Sequence, residues 1–155
     1  MATTYVSTKC ATGVQARTDL HDDTIYCEFD IAAAVGTAAN GGGGAGGTGF
    51  VINDVVQMVK VAKNTTILGV TLSVDDLDSS TGIRLQVGDG DVADRFITAS
   101  SIGEAGGVAT LNNHAGHLYT YTADDTIDIK VSTAAGGTAA TTGKLRLSVR
   151  TTQQQ

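Results

Sequence analysis

Two aspartate groups hold most of the chain's potential for chemistry: Asp89-Gly90-Asp91 with Asp94, and Asp75-Asp76 with Asp78. Closely spaced carboxylates are what a hard cation such as calcium requires, because it is held by several oxygens at once. The helix–loop–helix form of such a site ends in a bidentate Glu, and neither group has one. Asp and Gly are also the residues that tight turns between strands require. We therefore expect turns at both places, with Asp89, Asp91 and Asp94 as weak metal candidates.

Other arrangements fall short of a site. His114 and His117 have a zinc-like spacing but flank Ala115-Gly116, where a helix is not expected, and the third histidine, His21, is far away in sequence. Gly41-Gly42-Gly43-Gly44 invites a phosphate reading, but the glycines of 41–49 include no lysine. The stretch from Gly137 to Gly143-Lys144 has one residue too many for a phosphate loop, and Leu145 stands where a hydroxyl is needed to reach magnesium. No Gly-x-Ser-x-Gly elbow occurs. Glu28 and Glu104 fall on an outward strand position and in a loop, which makes no paired-carboxylate acid and base. Tyr119 and Tyr121 share one face of a strand-like segment, where two rings either stack on a sugar or protein partner or cover the end of the core. These residues imply no cofactor and no enzymatic activity.

The elements around these residues read as strands. In Thr24–Ile31, the residues Ile25, Cys27, Phe29 and Ile31 alternate with Tyr26, Glu28 and Asp30, so one row faces a core and the other faces solvent. Residues 50–62 carry apolar side chains on both faces, which calls for a register-switching bulge or a strand covered on both sides. A turn at Lys63-Asn64 leads into 65–74. Strands at 82–87 and 93–98 pair across Gly88–Asp91, and 117–122 pairs with 126–131 across Ala123-Asp124-Asp125. The last strand is 144–149, with Leu145, Leu147 and Val149 inward. Residues 100–113 and 132–143 are Gly- and Ala-rich and read as loops. The expectation is an all-β, antiparallel sandwich of about eight strands, jelly-roll-like, over residues 24–150. An N-terminal arm at 1–23 precedes it, a Gly-rich loop at 36–49 interrupts it, and a frayed polar tail at 151–155 follows it.

Composition narrows the function. With 17% charged and 41% hydrophobic residues the chain is not a charge-driven disordered protein. Its net charge of −6, with no cluster of Lys and Arg, argues against nucleic acid as a partner. Lys144, Arg146 and Arg150 alternate on the last strand, where an edge position would make them guards against aggregation. No apolar run reaches the ~18 residues a membrane span needs. Met1–Ser7 has no signal-like apolar run, so folding in a cytoplasm is expected. Cys27 suits a buried thiol there, while Cys10 has no evident partner and a Cys10–Cys27 bridge stays open.

A cluster of strand-and-turn phrases carries a resemblance. Val56-Gln57-Met58-Val59-Lys60-Val61, Ile67-Leu68-Gly69-Val70, Ser73-Val74-Asp75-Asp76-Leu77-Asp78 and Val87-Gly88-Asp89-Gly90-Asp91-Val92-Ala93-Asp94-Arg95-Phe96 resemble small β-rich virion proteins of tailed bacteriophages. Some of these proteins are capsid decoration or cement proteins. The resemblance implies a non-enzymatic virion protein, assembled in the host cytoplasm. It would bind the outer surface of a major capsid protein shell as a homo-oligomer, often a trimer. It brings no catalytic or cofactor residues. The expected gripping segments are the arm, with Tyr5 and Val6, and the Gly-rich loop, with Gly41, Gly42, Gly43, Gly44 and Phe50 at its exit. Tyr119 and Tyr121 complete the candidate interface. The alternative is a carbohydrate- or receptor-binding sandwich module of a tail appendage, with Tyr119 and Tyr121 at its site.

Overall fold

The computed structural model of the chain describes residues 4–6, 23–32 and 49–153. Nine strands lie within them: β1 (Thr4–Val6), β2 (Asp23–Asp30), β3 (Val55–Val61), β4 (Thr65–Val74), β5 (Arg84–Gly88), β6 (Ile97–Ser100), β7 (Gly107–Thr110), β8 (Asp125–Thr133) and β9 (Lys144–Gln153). They form an all-β sandwich of two sheets, ordered β1-β3-β8-β5-β6 and β2-β9-β4-β7. Every pairing is antiparallel except β1 with β3, which is parallel.

Alternating sequence explains the packing. Ile25, Cys27 and Phe29 of β2, Leu145, Leu147 and Val149 of β9, and Val70, Leu72 and Val74 of β4 line the inner face of the four-stranded sheet. Opposite them stand Val56, Met58, Val59 and Val61 of β3, Leu85 and Val87 of β5, and Ile127, Ile129 and Val131 of β8. The bulge expected in β3 is present. Register shifts between Gln57 and Val59, which lets the adjacent Met58 and Val59 both be buried.

Several local expectations are corrected. The strand expected from Phe50 begins only at Val55, because Asn53 has φ 69° and the Asp54 carboxylate accepts the Val51 N–H, closing a turn. Phe50 is itself buried and stacks near Phe29, with ring centroids 6.3 Å apart. Asn64, at φ 67°, does not fold β4 back beside β3; it carries the chain across to the other sheet. Segment 117–122 is not a strand of a hairpin with β8. Leu118 sits at φ 56°, and the segment bonds instead to the start of β4, through Ile67 N–H to Tyr119 O and Tyr121 N–H to Thr65 O. The Gly/Ala stretch expected as loop contains β7, an edge strand whose half-exposed residues carry no apolar alternation. β9 extends to Gln153 and buries Thr151, so 151–153 are strand where a frayed tail was expected. β9 also lies between β2 and β4, so its cations are not on an edge.

Candidate functional site

Loops gather at the two ends of the sandwich, and each end is organised by one buried aspartate. At the first end, 62–64, 89–96 and 111–124 meet. Asn64 N–H bonds Tyr121 O, Lys63 N–H bonds the Asp124 carboxylate, and Asn113 Nδ2 donates to Asp94 O. Asp89 is buried here. Its Oδ1 accepts the N–H groups of Asp91 at 3.2 Å and Val92 at 2.8 Å, and its carboxylate takes both the Nε and an Nη of Arg95. The Arg95 guanidinium carbon lies 3.9 Å from the centroid of the Tyr119 ring, a cation–π contact. Tyr119 meets Tyr121 edge-on at 5.0 Å and Phe96 at 6.5 Å.

The same contacts engage the candidate metal and stacking residues. A guanidinium already fills the place beside Asp89 that a metal ion would take, while Asp91 is exposed and Asp94 engages Asn113 through its backbone. Among the described residues no three or more His, Cys, Asp or Glu side chains are set to hold a metal ion. Tyr121 is buried, and burial raises its hydroxyl far above the usual phenol range. Tyr121 covers the core's end, and the partly buried Tyr119 packs between it and Arg95.

At the second end, 75–83, 101–106 and 134–143 meet. The buried Asp78 carboxylate accepts four backbone N–H groups: Ser80 at 3.1 Å, Ile83 at 3.2 Å, Gly136 at 2.9 Å and Gly137 at 3.1 Å. Burial works to raise its pKa, but those four donors prevail and hold it below the usual carboxylate range. Glu104 accepts the Gly82 N–H and pairs with Arg84 at 3.3 Å, so it is a fastener too. An open groove of about 430 Å³ lies beside Asp78, lined also by Asp76, Ser79 and the small residues 138–142.

The outer face of the four-stranded sheet carries an ion-pair row. Glu28 of β2 binds Lys144 at 2.5 Å and Arg146 at 3.2 Å, and Arg146 reaches Asp75 at 2.8 Å. Cross-strand neighbours of opposite charge explain the row: Glu28 pairs with Arg146 in register, and Asp30 with Lys144. Tyr26 and Val108 stand exposed on the same sheet.

The remaining sequence candidates are placed as follows. Tyr5 and Val6 are in β1, paired to Val56 and Gln57. Gly41, Gly42, Gly43 and Gly44 lie outside the described residues, as do Cys10 and His21. Cys27 is a buried thiol whose Sγ lies 3.2 Å from Met58 O. His114 and His117 bracket a single 3₁₀ turn and are exposed. Arg95 and Asp128 went unmarked in the sequence, because each matters only through partners that the fold brings to it.

No protein-family model matches the chain, and no curated protein does. Solved structures do. A chain of the cyanophage Pam1 capsid asymmetric unit superposes with a TM-score of 0.63 at 26% identity, over 86% of each chain. The chain shares its fold with a bacteriophage capsid protein. A chain of the capsid of Ralstonia phage GP4 matches with a TM-score of 0.66 at 22% identity, over 92% of this chain and 98% of that one. A third, from the acidic stable capsid of Helicobacter pylori bacteriophage KHP30, matches with a TM-score of 0.53 at 17% identity. The first two matches cover at least 86% of both partners, so the likeness runs through most of each chain.

Proposed function

We propose that this chain is a non-enzymatic virion structural protein that decorates a bacteriophage head. It would bind the outer surface of the major capsid protein shell and stabilise it. The observation that carries the reading is the likeness to a chain of the cyanophage capsid over 86% of both chains. Two features of the structure support it. Asp89 and Asp78, the buried members of the two aspartate groups, serve as loop fasteners, and the strand order fits the sandwich of a shell protein. Strands β2 to β9 in the orders β2-β9-β4-β7 and β3-β8-β5-β6 support a jelly-roll reading, in which most connections cross between the sheets.

In this reading the arm of residues 1–23, with Tyr5 and Val6, and the Gly-rich loop of 36–49 grip the shell. A homotrimer multiplies those contacts, so that many weak ones give firm attachment. The protein would then reside on the capsid surface after assembly in the host cytoplasm. Deleting residues 2–20 tests the gripping role: the sandwich is expected to fold while shell occupancy is lost. Occupancy unchanged by the deletion would remove the arm from the account.

A further inference from the structure

We propose that Asp128 is a proton-binding site whose occupation fastens the 89–94 turn to the outer face of the five-stranded sheet. Asp128 belongs to β8, and its side chain points away from the core, in register between Gln57 of β3 and Gly88 of β5. It is nevertheless 92% buried, being only 8% exposed. Its Oδ1 has no hydrogen-bond partner among the described residues. The turn that follows β5 folds back over this position. Gly88 leaves it room, since a Cβ there would stand 2.0 Å from Val92 O and 2.4 Å from the Ala93 carbonyl carbon. Beneath the turn is a cavity of about 160 Å³, lined by Val55, Asp89, Gly90, Ala93, Asp128 and Lys130.

The charges around the carboxyl set its ligand. From the turn come Asp89, already held by Arg95, and the exposed Asp91, with Asp94 beyond. From β8 itself come Asp125 and Lys130. From β3 comes Lys60, opposite Thr126 on the same outward face. β5 offers Gln86 and Gly88, neither of which titrates. Asp89 and Asp125 both act on Asp128 as like charges. An ionised, buried carboxylate with an orphaned oxygen facing two other carboxylates is costly, and such a group normally takes up a proton instead. Burial first, then those two neighbours, push Asp128 up to about 6, although a Thr126 hydrogen bond pulls the other way. Oδ1 itself has almost no solvent-accessible surface. The protonated acid removes the repulsion beneath the turn; the ionised one restores it.

The sign follows from the raised pKa. The folded protein holds a proton that the unfolded chain has released, so stability falls as pH rises through about 6. Thermal unfolding of the full chain from pH 5 to pH 8 is expected to show a midpoint roughly 5 °C lower at the alkaline end. Asp128→Asn should erase most of that slope. A slope that persists in Asp128→Asn overturns the proposal. If that variant does not fold, carboxyl carbon NMR of the natural chain decides. An Asp128 signal with a midpoint near 6 upholds the site, and one titrating below ~4.5 refutes it. Amide exchange of residues 90–93, corrected for intrinsic rate, should be more protected at pH 5 than at pH 8. Equal protection would sever the proton from the turn.

Discussion

The Asp78 carboxylate accepts the Gly136 N–H at 2.9 Å, joining two loops that lie 58 residues apart in the chain. The same side chain collects Ser80, Ile83 and Gly137, so one anion satisfies four donors that would otherwise be left at the sandwich end. Asp78→Ala should therefore lower the unfolding midpoint far more than Asp76→Ala, whose exposed carboxylate accepts only the Asp78 N–H among these bonds. Asp78→Asn should recover little, because its amide NH₂ would face backbone donors. Urea unfolding of the three variants checks the order, and equal loss from Asp76→Ala and Asp78→Ala would show that Asp78 does not organise this end.

Acid should weaken the fold through the carboxylates whose pKa values are lowered. The Lys144 hydrogen bond does this for Glu28, and the Arg146 hydrogen bond for Asp75. A depressed pKa gives stability that is present above the unfolded value, near 4, and lost as pH falls through the folded one. With Asp128 acting in the opposite sense from about pH 4 to about pH 6, the unfolding midpoint should peak near pH ~4.5 and fall on both sides. Differential scanning calorimetry across pH 2.5–8 reads this directly. A profile rising steadily to pH 8 would contradict it.

Core packing sets a third expectation. Leu147 is fully buried on β9, the strand between β2 and β4, where its neighbours are held on both sides by backbone pairing. Leu147→Ala should cost about 3 kcal/mol, because so constrained a site collapses little around the cavity. Val108→Ala, on the exposed edge strand β7, should change stability by less than ~0.5 kcal/mol. Chemical denaturation of both variants measures the contrast.

The core strands were legible because burial writes itself into alternation. β2 and β9 follow the expected pattern, and the two-sided apolar run in β3 announced its bulge. What failed to show in sequence depended on long-range partners. Segment 117–122 alternates like a strand, yet Leu118 at φ 56° breaks it and Thr66 meets Thr120 in a single bridge. β7 has no apolar face to alternate, since edge residues are half exposed. Turn aspartates were visible as turns, but only the fold revealed that Arg95 fills the place beside Asp89 and that Asp128 has no such partner. Of Tyr119 and Tyr121, open to either reading in sequence, Tyr121 is buried in the core and Tyr119 packs half-buried against it and Arg95.

Oligomer size is a separate expectation of the decoration reading. Light scattering over a concentration series should return three times the 15.7 kDa mass of one chain. A mass of one chain at every concentration would remove the free trimer and leave assembly to the shell.

Attachment to the head tests the central claim most directly. Heads of the phage that encodes this chain, prepared without it, would be mixed with the purified protein, separated from unbound material and imaged by electron cryomicroscopy. Saturable density is expected on the outer surface at a fixed ratio to the shell protein. Bare shells at saturating protein, or density confined to the tail, would contradict it.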